Sequence, residues 1–127
     1  MMVTRANRVR LWICILVAAL LAACSSESDT LPAELQGTWR TRATSHQDRY
    51  FVLHPQAIVL GYGEGSSLHP IQRVTEHNSD GTRLYELSYW DEAGEVQVWT
   101  FYHEDRHGGI IRFKNLPKVE WEKQPEN

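Results

Sequence analysis

Residues 11–23 form an uncharged, strongly apolar run, and the chain then turns polar at Ser25-Ser26-Glu27-Ser28-Asp29-Thr30. Beyond Gly37 the pattern changes again. Short β-branched and aromatic runs alternate with turn residues, and no stretch keeps the 3.6-residue apolar period of an amphipathic helix. Eight strands are predicted, over residues 37–43, 49–54, 57–62, 67–77, 82–90, 95–102, 109–114 and 119–123. Leu31-Pro32-Ala33-Glu34-Leu35 has room for a single helical turn.

Turn chemistry sets an expected register. Asp80-Gly81 suits a two-residue type I′ turn, which requires positive φ at both central positions, and this puts Val74 opposite Leu87. Reading Asp91-Glu92-Ala93-Gly94 as the next turn makes Trp90 oppose Glu95. Tyr89 then faces Val96, Leu87 faces Val98 and Tyr85 faces Thr100 on one apolar face. If Tyr102 opposes Gly109, Thr100 meets Ile111 and Val98 meets Phe113, while Arg112 lies outside against Trp99 as a cation–π pair. On this register Trp99, Phe101 and Leu84 face outward, with Ile110 opposite Phe101. That leaves a partner-docking patch, a covering layer, or a register one residue away. The expected fold is all-β: a single small antiparallel up-and-down meander of about eight strands, closed as a barrel so that no sheet edge stays unpaired.

The N-terminal pattern bears on address. Arg5, Arg8 and Arg10 precede the apolar run, which ends in small residues, the layout of a secretory signal. Its 13 residues are too few to span a bilayer, which takes roughly 20. Leu21-Ala22-Ala23-Cys24 resembles the lipobox of bacterial lipoproteins, and the resemblance implies cleavage before Cys24 and a diacylglycerol on its sulfur. Ser25 stands where an Asp would be the usual inner-membrane retention signal, so the resemblance also implies an outer-membrane anchor facing the periplasm. The expected organisation is a signal peptide over residues 1–23, a flexible tether over 24–30 and the barrel domain over 31–127.

Cleavage would leave 104 residues, one domain with one core, carrying 10 basic and 16 acidic side chains for a net charge of −6. Such a surface argues against nucleic acid as a partner. Of the two cysteines, Cys14 would leave with the signal and Cys24 would be acylated, so no disulfide is expected and packing must hold the fold.

Leu35-Gln36-Gly37-Thr38-Trp39 resembles the opening of lipocalin-type calycin barrels, in which Gly-x-Trp starts the first strand and the tryptophan plugs the closed end. The resemblance implies a basic side chain packed over Trp39, here Arg112 or Lys123, and an interior that takes a small apolar or amphipathic ligand. Trp39, Tyr85, Leu87, Tyr89, Trp99, Phe101 and Phe113 are the candidate ligand- or partner-contacting residues. The second reading is an inhibitor or protein-interaction domain working from its loops or outer face, with an envelope protein as partner. Periplasmic lysozyme-inhibitor lipoproteins are also small eight-stranded barrels with such a leader, although this chain cannot form their disulfide.

Catalytic chemistry finds little support. His103-Glu104-Asp105-Arg106-His107 spells H-E-x-x-H, but the zinc-protease motif needs a helix to bring both histidines to one face, and here it follows a strand and runs into Gly108-Gly109. A solvated hairpin loop is the expectation. His46, His54, His69 and His77 have no ligand spacing and are expected at the surface. Ser45-His46-Gln47-Asp48 has nucleophile, base and acid in sequence without triad geometry. Gly61-Tyr62-Gly63-Glu64-Gly65 lacks the lysine and helix of a phosphate loop. The chain is therefore read as a non-enzyme with no catalytic residue, no cofactor and no metal.

Overall fold

The computed structural model describes residues 25–79 and 81–126; the expected signal segment 1–23 and the expected acylation site Cys24 lie outside the described residues. Nine strands follow in chain order: β1 Ser25–Ser28, β2 Gly37–Thr41, β3 Arg49–Leu53, β4 Ala57–Tyr62, β5 Gly65–Ser79, β6 Thr82–Trp90, β7 Val96–Glu104, β8 Ile110–Phe113 and β9 Trp121–Lys123. Strands β2 to β9 form the eight-stranded antiparallel meander expected from the sequence. It is closed because β9 returns to β2, with Trp39 opposite Lys123 and Thr41 opposite Trp121. Side-chain alternation is plain in β3 and β6. In β6, Tyr85, Leu87 and Tyr89 are buried while Glu86 is exposed, and in β3 Phe51 and Leu53 are buried while Tyr50 and Val52 are only half-buried.

The ninth strand departs from expectation. Ser25–Ser28, read from sequence as tether, pairs with the far half of β5, Ser25 opposite His77 and Ser28 opposite Val74. The cause lies in β5, which is 15 residues long against six in β4. Strand β4 pairs with β5 from Gly65 to Pro70, and the rest of that β5 edge would stand open. Polar β1 occupies it, which satisfies backbone groups that an open edge leaves exposed.

Register is where sequence and structure part. The Ser79–Thr82 pairing leaves two residues in the turn, Gly81 has φ 77°, and Val74 opposes Leu87 as expected. The next hairpin is one residue off: Trp90 opposes Val96, Leu87 opposes Trp99 and Tyr85 opposes Phe101. Asp91 and Glu95 close the loop, the Asp91 N–H donating to the Glu95 carbonyl at 2.9 Å and the Gly94 N–H to the Asp91 carbonyl at 3.1 Å. Gly94 takes φ 78°. The loop is thus Glu92-Ala93-Gly94, a three-residue connection in which glycine sits in the left-handed position, not the four-residue turn expected. One residue of slip turns a whole strand over. Trp99 and Phe101 point inward and Val96 and Val98 outward, where Val98 is exposed. No outer Trp99–Phe101 patch exists.

The third hairpin also differs. Strand β7 continues to Glu104, so Phe101 opposes Phe113, His103 opposes Ile111 and Ile110 opposes Glu104 rather than Phe101. The corner after it is tight enough to need positive φ at His107 (54°), Gly108 (82°) and Gly109 (128°). Arg112 consequently lies opposite Tyr102 and pairs with Glu104 instead of stacking on Trp99.

The core fills one end of the barrel. A 3-10 turn at Ala33–Leu35 carries Leu35, fully buried, beneath Trp39, whose indole N–H donates to the Leu35 carbonyl at 3.0 Å. Above this plug Leu53, Ile58, Tyr85, Leu87, Phe101 and Ile111 are likewise buried. Lys123, not Arg112, is the basic residue beside Trp39: it is the cross-strand partner, and its ammonium donates to the Glu34 carbonyl at 3.1 Å.

Candidate functional site

The opposite end of the barrel is hollow. Inward positions there come from the first residues of β3 and β7, the last of β4 and β8, and the start of β9, all of which enter or leave the barrel at that rim. They enclose a solvent-open cavity of about 660 Å³. Its walls are Phe51, Leu60, Trp99, Phe113 and Trp121, and its rim carries His46, Asp48, Arg49, Tyr50 and Tyr62. The aromatic walls brace one another. Phe51 is their hub, with ring centroids 5.1 Å from Trp121, 5.4 Å from Trp99 and 5.8 Å from Phe113, and it stacks on Trp39 of the plug at 6.3 Å. The Trp99 and Phe113 rings meet Phe51 edge-to-face, a favoured arrangement for aromatic pairs. At the rim, Tyr50 lies flat over Gly61, its cross-strand partner, where any Cβ would run into the ring, and the Arg40 guanidinium sits 4.7 Å above the same ring.

Of the seven residues expected from sequence to contact a ligand, Trp99 and Phe113 line this cavity. Trp39, Tyr85, Leu87 and Phe101 are filled core at the closed end, and Tyr89 is buried behind the wall against Trp99 and His69. Phe51, Leu60 and Trp121 were missed. Phe51 alternates with Tyr50 and Val52 in β3 and shares the face of buried Leu53, so period-two reading places it inside, but only barrel closure brings it to the rim of β9. His46 comes to the rim with Asp48, yet its Nδ1 meets Ser45 Oγ at 2.7 Å, and among the described residues no hydrogen bond or ion pair joins it to Asp48. No relay runs from the acid to the hydroxyl.

Two histidines expected at the surface are buried. His69 is fully hydrogen-bonded, Nδ1 3.0 Å from the Trp90 carbonyl and Nε2 2.8 Å from Ser67 Oγ. A carbonyl can only accept, so Nδ1 carries a proton and donates to it, while Nε2 is bonded to the serine hydroxyl. His103 is the other. It belongs to β7, not to a solvated loop, and its ring faces inward at the closed end, edge-on to Trp39 at 6.2 Å and to Tyr85 at 6.4 Å. Neither ring nitrogen has a hydrogen-bond partner among the described residues.

Around His103 lies a charged cluster. Arg83 donates to both carboxylate oxygens of Glu34, at 2.7 and 2.6 Å, and Tyr85 donates to Glu34 Oε1 at 2.9 Å. Asp105 stands 3.9 Å from His103 Nδ1 and 3.9 Å from Arg83. Burial alone would raise the Glu34 carboxyl, but the bonds from Arg83 and Tyr85 outweigh it and hold the group below its ordinary value. Burial also depresses the His103 imidazole, against the pull of Glu34 and Asp105, and pushes the Tyr85 hydroxyl well above its usual range. Glu34, His103 and Asp105 can each offer one ligand atom within 4.8 Å of the others. His107, the second histidine of the H-E-x-x-H string, is exposed in the corner and has no place in this group, so the protease arrangement does not form.

Comparison with protein-family models, with curated proteins and with solved structures finds no match to this chain.

Proposed function

We propose that this protein is a binding module, a lipocalin-like barrel that holds a small apolar or amphipathic ligand in its open end and is anchored to the outer membrane, facing the periplasm, through lipid on Cys24. The carrying observation is the cavity of about 660 Å³ with walls of Phe51, Leu60, Trp99, Phe113 and Trp121. A pocket of a few hundred Å³ with apolar walls and a few polar groups at its edge is the usual form of a small-molecule site. Aromatic walls favour a ligand with a flat or chain-like apolar body, and the His46, Asp48 and Arg49 rim favours a polar head left at the mouth. The Leu21-Ala22-Ala23-Cys24 string supports the anchor and the Gly37-Thr38-Trp39 opening supports the family resemblance.

Native mass spectrometry on protein purified from its own envelope tests the binding. A co-purified small molecule is expected, absent from Leu60→Trp, which fills the cavity, while the melting temperature of that variant stays close to wild type. Repeatedly ligand-free wild-type protein overturns the reading. For the anchor, labelled palmitate should enter the wild-type chain and not Cys24→Ala; label persisting in the variant removes the attachment site.

One observation favours a second reading, a protein-interaction or inhibitor domain. Trp90, Val96 and Val98 are exposed side by side on the outer face, Trp90 directly opposite Val96. A ligand-free protein that loses a cross-linked envelope partner on Val98→Lys would shift the assignment there.

A further inference from the structure

At the end of the barrel away from the cavity, the side chains of the 3-10 turn, of the last turn of β7 and of the corner after it converge on one point. We propose that Glu34, His103 and Asp105 form a site for a divalent transition-metal ion of the zinc class, clasping the closing turn to the β7–β8 corner.

The observation that points to a ligand is His103. Its side chain is 2 % exposed, both ring nitrogens lack partners among the described residues, and Nδ1 is directed at Asp105 Oδ1, 3.9 Å away. A buried imidazole is ordinarily hydrogen-bonded, as His69 is here. An imidazole with two carboxylates and a completing water is a donor set suited to zinc. A groove of about 590 Å³ whose walls include Arg83, His103 and Asp105 adjoins the cluster. Ligand bonds near 2.1 Å put tetrahedral donors roughly 3.4 Å apart. The present spread of up to 4.8 Å therefore has to contract by about 1.4 Å, and Asp105, 73 % exposed in the corner, has the freedom to move. Metal ligation needs a neutral imidazole and ionised carboxylates.

Arg83 is the opposing group. Its guanidinium already neutralises Glu34 and reaches Asp105, so a metal ion must displace it. That competition gives the site a signature that a merely structural cluster lacks: removing the arginine should strengthen metal binding while removing a ligand weakens it.

The test is a zinc chloride titration of the full chain in detergent, followed by calorimetry, with folding of every variant checked by circular dichroism. One ion per chain is expected for wild type, with affinity reduced at least tenfold in His103→Gln and in Asp105→Asn. Asp105→Asn lies at the surface and leaves the core intact. Arg83→Gln should bind at least threefold more tightly. The proposal is overturned by absence of binding in both wild type and Arg83→Gln, by binding that survives His103→Gln and Asp105→Asn, or by Arg83→Gln binding more weakly than wild type.

Discussion

Among the described residues His103 is a buried base with no partner for its nitrogens, and its consequence for the metal-free protein is acid sensitivity. Glu34, Tyr85, Arg83, Asp105 and Lys123 surround it, and burial still wins, placing the folded-state pKa below the ordinary 6.5. As pH falls through 6.5 the unfolded chain takes up a proton that the native chain refuses, so stability drops until the native imidazole also protonates. One proton of difference corresponds to a loss of up to about 1.4 kcal/mol per pH unit. Glu34, held below its ordinary 4.5, loses its contribution in the same direction at still lower pH, while Tyr85 costs stability only as pH rises above 10. Chelator-treated protein should therefore melt progressively lower as pH falls below about 6.5, and His103→Leu should flatten that slope. The same variant, freed of an unpaired buried polar ring, should be more stable at neutral pH by about 1 kcal/mol. Thermal melts across pH 5 to 8 on both proteins check it; parallel curves would show that another group carries the acid sensitivity.

One hairpin decides which side chains the barrel can use. The Asp91 carboxylate accepts from the Ala93 and Glu95 N–H groups and from the Gln97 side chain, each at 2.9 Å, and these bonds pull its pKa down, the Gln97 bond most. They fix a three-residue loop that needs a left-handed residue at Gly94, φ 78°. Gly94→Ala should cost about 1 to 2 kcal/mol, a fall in melting temperature of several degrees for a domain of this size, whereas Gly94→Asn should cost less. Calorimetry on the three proteins checks the order. The same loop explains what could be read in advance. Strand content, the up-and-down order and the Gly37-Thr38-Trp39 start were legible because they follow from local alternation and turn residues. The facing of β7 was not, since Asp-Glu-Ala-Gly serves equally as a four-residue turn or as a closing Asp91 plus a three-residue loop, and the difference rests on side-chain bonds to Asp91 that spacing cannot show. With β7 turned over, Trp99 passed from an imagined outer patch to the cavity wall. Strand β1 was illegible for another reason: nothing in Ser25-Ser26-Glu27-Ser28 favours a sheet, and it pairs because β5 outruns β4.

At the scale of the molecule the strands give the barrel a direction relative to its proposed anchor. Strand β5 starts at the open rim, where Gly65 pairs with Tyr62, passes the plugged end and runs on to the Ser79–Thr82 hairpin. Strand β1 lies along that overrun, and Ser25 pairs with His77 near its tip. An acyl group on Cys24 would therefore attach at the closed end, with the chain taken up in sheet rather than in free tether. The cavity mouth at Asp48 and Tyr62 would point away from the membrane, toward whatever diffuses in the periplasm, and the Glu34–His103–Asp105 cluster would sit on the membrane side. Full chain reconstituted in vesicles containing spin-labelled lipid tests this, with a fluorophore placed on an introduced cysteine at Asp48 in one sample and at Thr82 in another. Stronger quenching at Thr82 is expected. Equal or reversed quenching would mean that the barrel tumbles on its attachment or sits mouth-down, and a mouth-down barrel would draw its ligand from the bilayer.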